Sequence, residues 1–423
     1  MGRVLELFPD TASVEDGALG LGGIPAPRLA EEHGTPLVVL CRETILGAAR
    51  AYRAAAPDAL LAYSVKALPN VALLRLLAGE GFGADVSTLG ELAFALRAGI
   101  PGERIVVHGN NKSDEELRAA ATANAGLVVL DAADEPARAA DAGVQRVLVR
   151  VTPGIDADTH VSIRTAHHGS KFGLGPDDAL AAIATARAAG LDVAGVHVHL
   201  GSQLLDTRIA RAGVDWAASF AADCRAELGW TPDVVDVGGG LGIAHVEGER
   251  APAIADFVGA LRARVDHQWD VLGLPRPRLV LEPGRSLVGR AGVTLYRVGV
   301  VKRASESTTY VAVDGGMSDN PRPQLYGARL TGLLANRADE RPAGAYTVCG
   351  KHCESGDELI ERVALPEPRR GDVLAVPATG AYTLAMASTY NAVPRPAAVL
   401  VGGGEAEVIR RRETVDDLLA YDA

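Results

Sequence analysis

The feature that most constrains the fold is a regular alternation of short β-rich runs and longer helical stretches between about residues 35 and 288. The alternation makes about eight strand–helix units in about 250 residues, which is the size of a (β/α)8 barrel. A doubly wound open sheet is the alternative architecture for such a pattern. The barrel is favoured because the unit count is right and polar residues follow so many of the predicted strands. These strands are predicted at residues 60–65, 82–86, 104–107, 126–130, 146–151, 193–199, 234–237 and 278–282.

The pattern of predicted elements changes after residue 288, where β-rich runs follow one another without long helices between them. We therefore expect an α/β chain with three parts. An N-terminal segment (residues 1–28) packs on the β domain, a (β/α)8 TIM-like barrel spans residues 29–288, and a mostly β domain spans residues 289–423. Strands of the β domain are predicted at residues 293–302, 309–314, 345–348, 373–378 and 397–401.

Composition excludes several classes of protein. The net charge of −11 argues against a nucleic-acid partner. No stretch is long and apolar enough to cross a membrane, and the first ten residues lack a signal-peptide pattern. The four cysteines, Cys41, Cys224, Cys349 and Cys353, form neither a disulfide framework nor a paired zinc motif. A cytoplasmic enzyme in a reducing compartment is expected.

Lys66 is the first candidate for chemistry, because it follows the first predicted barrel strand directly. A lysine held partly out of water loses its proton readily and becomes a nucleophilic amine. Such an amine forms a Schiff base with a carbonyl cofactor such as pyridoxal 5'-phosphate (PLP). A lysine that merely extends from a strand edge into water is the alternative.

Polar residues follow most of the predicted strands, where barrels carry their active sites. One such residue would mean little, but a ring of them is hard to explain as solvated surface. The ring consists of Lys66, Asp85, His108 with Asn110, Asp131, His199 with Ser202, Gly238–Gly240, and Glu282 with Arg285.

The glycine run Gly238-Gly239-Gly240 follows a predicted strand and permits backbone N–H groups to approach a phosphate. It fits neither the dinucleotide fingerprint, since Ile243 takes the place of the last glycine, nor a Walker loop. A plain tight turn is the alternative. Ser202 and Arg285, after neighbouring strands, favour a pocket for a single phosphate.

Glu282 and the two histidines His197 and His199 suggest a site for the cofactor ring. Glu282 would keep the pyridine nitrogen of PLP protonated and the ring an electron sink; an exposed ion pair with Arg285 is the alternative. His199 is expected to stack on the ring, and His197 to be a core histidine. A metal pair supported by Asp156, Asp158 and His160 is the less favoured interpretation, and no metal is predicted.

The motifs together resemble the fold-type III PLP-dependent decarboxylases, over nearly the whole chain. Any one of the motifs is weak, but the set in this order is very specific. Its members are Tyr63-Ser-Val-Lys66-Ala, Asp85-Val-Ser-Thr-Leu-Gly-Glu91, His108-Gly-Asn-Asn-Lys-Ser113, His197-Val-His-Leu-Gly-Ser-Gln203, Gly238-Gly-Gly-Leu-Gly242, Glu282-Pro-Gly-Arg285, Cys353-Glu-Ser-Gly-Asp357 and Gly380-Ala-Tyr382.

The resemblance implies a homodimer whose active sites are shared between subunits, with an amino acid, a small molecule, as substrate. It also implies roles for particular residues. Lys66 and Cys353 would be catalytic, with Cys353 as the proton donor. The cofactor would be bound by Lys66, Asp85, His199, Ser202, Gly238, Gly239, Gly240, Glu282, Gly284, Arg285 and Tyr382, and the substrate by Arg285, Arg322, Tyr326, Glu354 and Tyr382.

The segments at residues 152–160, 163–167, 171–173, 314–328 and 411–419 resemble in particular those of the actinobacterial diaminopimelate decarboxylases, which make L-lysine and CO2 from meso-2,6-diaminopimelate. Arg322 stands where the ornithine enzymes carry an aspartate. A guanidinium suits a distal carboxylate and repels a distal ammonium. Glu354 would receive the distal amine of the substrate.

Three alternatives stay open at this point. A decarboxylase of the same fold could act on another amino acid or a carrier-bound substrate in a specialised pathway. An amino-acid racemase shares the lysine-bearing barrel but needs a second base. A regulatory binder without catalysis would have no use for the set Lys66, Glu282 and Cys353.

Overall fold

The computed structural model describes residues 2–153, 170–199 and 201–422. The chain divides into two compact units. The barrel unit comprises residues 48–242 and 251–286, and the β-rich unit comprises residues 1–47, 243–250 and 287–423.

The elements are numbered here along the described chain. The strands are β1 (Ser13–Glu15), β2 (Ala18–Leu21), β3 (Ile24–Pro25), β4 (Leu37–Cys41), β5 (Leu60–Ser64), β6 (Gly83–Val86), β7 (Ile105–Val107), β8 (Leu127–Leu130), β9 (Arg146–Arg150), β10 (Asp192–His197), β11 (Val234–Asp236), β12 (Arg278–Leu281), β13 (Gly292–Arg303), β14 (Thr309–Val313), β15 (Leu333–Leu334), β16 (Gly344–Cys349), β17 (Glu358–Leu365), β18 (Val373–Pro377), β19 (Ala397–Gly402) and β20 (Glu405–Arg410). The α-helices are α1 (Gly2–Leu5), α2 (Ala26–His33), α3 (Arg42–Ala55), α4 (Val71–Gly79), α5 (Leu89–Arg97), α6 (Asp114–Thr122), α7 (Glu135–Asp141), α8 (Pro176–Ala188), α9 (Arg208–Leu228), α10 (Ile254–Val271), α11 (Arg285–Val288), α12 (Arg322–Tyr326) and α13 (Val415–Leu419).

Strands β5 to β12 form a closed barrel in which each strand pairs in parallel with its neighbours, and β12 closes onto β5. The predicted (β/α)8 barrel is therefore confirmed, and all eight strands lie within two residues of their predicted bounds. The strands are nearly continuous buried runs because a parallel sheet is covered on both faces. Buried side chains that share one core in the barrel are Leu60, Ala62, Val106, Leu127, Val129, Leu148, Ala194, Val234 and Val280.

Helix caps place the barrel helices directly after the strand ends that carry polar residues. Asn70 and Thr88 accept hydrogen bonds from backbone N–H groups in the first turns of α4 and α5. The capping box predicted at Ser113 is present, because Ser113 and Glu116 each accept from the other's backbone N–H. Short loops are thereby fixed at the end of the barrel where the candidate residues lie.

The β-rich unit is built on a sheet of nine strands whose main path is β17-β16-β14-β13-β4-β19-β20. Strand β18 pairs with β13 and β15. The sheet β1-β2-β3 of the N-terminal segment contributes to the same unit, since Phe8 and Leu19 share a buried core with Val293 and Val399. The five strands predicted in this part of the chain are all present.

One division of the chain differs from the prediction. Strand β4 lies inside the predicted barrel range of 29–288, but it pairs with β13 and β19 of the β-rich unit. Its residues Leu37–Cys41 are all buried, so the run has the composition of a barrel strand. Only its partners, more than 250 residues away, reveal its place. Among the described residues, no helix is long and apolar enough to cross a membrane.

Candidate active site

Four buried side chains lie together inside the barrel: His108, His197, Asp236 and Glu282. Each offers an atom within 4.8 Å of the others. The Nε2 atom of His108 is 2.5 Å from Oε1 of Glu282, and Nε2 of His197 is 3.7 Å from Oε2 of Glu282. They come from the ends of β7, β10, β11 and β12, so barrel closure brings together residues that are far apart in the sequence.

The two carboxyl groups of this cluster have opposite protonation tendencies. Burial by itself raises the pKa of Glu282, but His108 and His197 together hold it well below its usual value. Burial and the neighbouring Glu282 carboxylate raise the pKa of Asp236 well above its usual value. Glu282 is therefore the anion and Asp236 the neutral acid. Burial lowers the pKa of His197 to about 3, so this imidazole is neutral.

Asp85 lies beside this cluster at the end of β6. It accepts a hydrogen bond of 2.6 Å from the hydroxyl of Ser64, and its Oδ1 atom is 3.9 Å from Nε2 of His108. Burial and the charge of Glu282 raise its pKa, while His108 and Lys66 oppose that rise. Asp85 and Glu282, both members of the predicted ring, thus lie on either side of the same histidine, His108.

The glycine run after β11 is closely packed against two other strand ends. A Cβ atom on Gly238 would lie 2.4 Å from Nδ1 of His199, and one on Gly239 would lie 2.3 Å from the backbone oxygen of Glu282. Gly238 also has φ of +65°, which favours glycine. Only glycine fits at these two positions, so the backbone of this run carries no side chain there.

Arg285 and Ser202 join this glycine run into one candidate anion site. Nη2 of Arg285 donates a hydrogen bond of 3.1 Å to the hydroxyl of Ser202, and Arg285 is buried. The segment after β10 is tied to the glycines because the N–H of Leu204 donates to the carbonyl of Gly240. A buried guanidinium, a hydroxyl and the backbone N–H groups of a glycine run are groups that bind phosphate.

His199 and Lys66 follow the ends of β10 and β5. The rings of His199 and His197 are stacked, with centroids 6.4 Å apart, and burial, followed by the charge of Lys66, lowers the pKa of His199 well below its usual value. His199 is therefore a neutral ring. Lys66 lies on a 3-10 turn, residues Val65–Ala67, and its side chain is exposed.

A buried lysine is one feature of the site that sequence reasoning missed. Nζ of Lys112 donates to the carbonyls of Gly109 and Val129, at 2.7 Å each, and pairs with Glu135 at 3.0 Å. These contacts anchor the loop that begins with His108. Lys112 stands inside the motif His108–Ser113, but the sequence contains no sign that its side chain points inward.

The structure gives limited support to the metal alternative. Asp156, Asp158 and His160 lie outside the described residues. The donor types of the cluster around Glu282 would suit a divalent cation. The glycine run, Ser202 and Arg285 beside it instead fit an anionic ligand.

The remaining predicted residues belong to the β-rich unit. Cys353 and Glu354 are exposed on the turn between β16 and β17. Arg322 is buried at the start of α12, and Tyr326 is half-buried at its end. Tyr382 is half-buried with φ of +57°.

Two side chains join these segments of the β-rich unit. Asp357 accepts hydrogen bonds from the N–H of Met317 at 2.7 Å and from Nδ1 of His352 at 2.8 Å. Nε2 of Gln324, on α12, donates to the carbonyl of Gly356 at 2.9 Å. The turn that carries Cys353 is thereby fixed to the segment that carries Arg322.

A barrel whose strand ends hold a lysine, an anionic glutamate and a glycine-lined anion site is typical of enzymes that bind pyridoxal phosphate. The family model of the pyridoxal-dependent decarboxylase pyridoxal binding domain matches residues 42–289. The chain is 44% identical to a diaminopimelate decarboxylase of Actinosynnema pretiosum (98% of this chain, 94% of the relative). It is 41% identical to that of Mycobacterium tuberculosis over the full length of both chains. The chain belongs to the diaminopimelate decarboxylase family within the pyridoxal-dependent decarboxylases.

Solved structures agree with this assignment. The diaminopimelate decarboxylase of M. jannaschii, in complex with L-lysine, superposes with a TM-score of 0.91 at 34% identity, covering 98% of each chain. A lysine/ornithine decarboxylase from Vibrio vulnificus superposes with a TM-score of 0.77 at 23% identity, covering 88% of this chain and 96% of its own. The second likeness supports the fold alone.

Proposed function

We propose that this protein removes CO2 from meso-2,6-diaminopimelate to give L-lysine, the last step of lysine biosynthesis, with PLP as its cofactor. The observation that carries the proposal is the anionic Glu282 next to the glycine-lined anion site. A decarboxylase of this kind needs a pyridine nitrogen that stays protonated, and a buried carboxylate with a depressed pKa supports that proton.

The barrel residues fit PLP by their chemistry. The backbone of Gly238–Gly240, with Ser202, Gly284 and Arg285, would receive the phosphate. Lys66 would supply the amine that holds the cofactor, and Asp85 would lie beside Glu282 through their shared neighbour His108. The neutral ring of His199 offers a face for stacking. When bound, PLP supplies the electron sink that accepts the charge left behind by departing CO2.

The residues of the β-rich unit would bind and protonate the substrate. Arg322, with Arg285 and Tyr326, would grip the carboxylate at the end that does not react, and this anchoring would orient the bond that breaks. Glu354 would receive the distal ammonium, and Tyr382 would adjoin the phosphate. The thiol of Cys353 would donate a proton to the carbon that has lost CO2.

We also propose a homodimer in the cytoplasm, with each Cys353 acting in the site of the partner subunit. The exposed thiol of Cys353 supports this, since a proton donor must reach the substrate. Apolar side chains on its neighbouring segments are exposed as well: Leu325 is 51% and Tyr390 41% accessible. All four cysteines are free, which fits a reducing compartment.

The test is product analysis with PLP-loaded protein. It should release CO2 and L-lysine from meso-diaminopimelate, and no CO2 from L-lysine, L-ornithine or L-arginine in parallel reactions. Protein that shows the absorbance of bound cofactor but turns over none of these would contradict the proposed substrate. Loss of CO2 from L-ornithine at a similar rate would contradict the role of Arg322.

A further inference from the structure

The guanidinium of Arg322 is held by a histidine that no motif includes. Nη1 of Arg322 and Nε2 of His245 are 2.9 Å apart. Both side chains lie in the β-rich unit, and both residues are 5% exposed. Arg322 begins α12, whereas His245 belongs to the segment of residues 243–250 that follows the glycine run. The contact therefore joins two segments far apart in the sequence.

The chemistry of this contact defines the state of His245. A guanidinium has five N–H donors and no acceptor, so Nε2 of His245 must accept. The imidazole is then neutral and carries its proton on Nδ1. A neutral acceptor fixes the direction of a guanidinium but does not neutralise its charge. A carboxylate partner, by contrast, would neutralise it. This contact thus orients the guanidinium of Arg322 without neutralising it.

The histidine is itself fixed by its own segment. The backbone N–H of His245 donates a hydrogen bond of 2.9 Å to Oε2 of Glu249. A side chain whose backbone is held in this way loses little freedom when its ring meets the guanidinium. The arrangement suits a residue that sets the position of another residue.

We propose that His245 is a positioning residue that aims Arg322 at the distal carboxylate of the substrate and so sets the affinity for that end. The inference rests on the proposed function, in which Arg322 binds that carboxylate. His245 does not touch the substrate in this scheme; it acts through Arg322.

The test compares two ligands of the PLP-loaded protein by isothermal titration calorimetry. L-Lysine, the product, keeps the distal carboxylate, whereas pentane-1,5-diamine lacks it. His245→Phe removes the acceptor and keeps a ring, and His245→Gln keeps an acceptor near the position of Nε2. His245→Phe should weaken L-lysine binding about tenfold to hundredfold, the range for losing a hydrogen bond to a charged group. Its affinity for the diamine should stay within about twofold, and His245→Gln should restore most of the L-lysine affinity.

Arg322→Ala provides the matched background. In that background His245→Phe should change L-lysine binding by less than about twofold, because the two residues act as one unit. Equal weakening of both ligands by His245→Phe, or no weakening of either, would overturn the positioning role. Should the unaltered protein bind both ligands equally, the assignment of Arg322 to a carboxylate would fail first, and the inference with it.

Discussion

Glu282 and Asp236 are both buried carboxyl groups, yet their surroundings move their pKa values in opposite directions. The two histidines around Glu282 favour its anion, and that anion in turn favours the protonated form of Asp236. The sequence suggested the role of Glu282 from its motif. It did not suggest the state of Asp236, because that depends on His108 and His197, which barrel closure brings into contact with Glu282.

This difference predicts unequal effects of two amide substitutions. Asp236→Asn replaces a neutral acid by a neutral amide, which still accepts from the N–H of Gly238, so kcat should fall by no more than about threefold. Glu282→Gln removes the anion, and kcat should fall by about a hundredfold or more. Steady-state kinetics with full PLP loading measures both. Comparable losses in the two variants would show that Asp236 is also ionised.

His197 makes stability depend on pH. Its pKa of about 3 lies below the ordinary value near 6.5, so the unfolded chain takes up a proton there before the folded chain does. The stabilisation is complete above the ordinary pKa and is lost as pH falls toward 3. Through this group, acidification from pH 7.5 to pH 5 should lower the free energy of unfolding by about 2 kcal/mol.

Urea unfolding at both pH values, with His197→Asn as the comparison, isolates this contribution. The variant lacks the imidazole. Its free energy of unfolding should therefore fall on acidification by about 2 kcal/mol less than that of the unaltered protein. Identical losses in the two proteins would mean that His197 is solvated.

At the level of elements, the barrel strands could be predicted closely because each is a short apolar run that ends in a polar residue. Strand β4 could not be assigned, since its composition is that of a barrel strand while its partners are β13 and β19. For the same reason the sequence could not assign His245: its neighbour Arg322 is 77 residues away. Pairings between distant segments are set by packing, which no local pattern records.

The buried pair of Lys112 and Glu135 should be essential for the loop between β7 and α6. Lys112→Met leaves the Glu135 carboxylate buried without its cation, which costs about 3–5 kcal/mol of the free energy of unfolding. The double variant Lys112→Met with Glu135→Leu removes both charges and should recover most of that loss. Urea unfolding followed by circular dichroism measures both. A double variant no more stable than Lys112→Met would contradict the buried pairing.

At the scale of the whole molecule, the proposed shared site has a consequence for mixed dimers. Lys66→Ala and Cys353→Ala proteins should each be nearly inactive alone. If Cys353 acts in the partner's site, refolding the two together restores one intact site in each mixed dimer. Activity should then reach about a quarter of that of the unaltered protein. Differently tagged subunits would show whether mixed dimers form. If they form and the mixture still stays inactive, both residues act in the site of the same subunit.

The most direct test of the central claim is the reaction of meso-diaminopimelate in D2O, with mass spectrometry of the product. The account predicts L-lysine that carries one deuterium on carbon 6, where a solvent-derived proton replaces CO2, and ordinary hydrogen on carbon 2. Deuterium on carbon 2, or recovery of labelled diaminopimelate without CO2, would instead indicate proton exchange of the kind a racemase performs, and would contradict the decarboxylase account.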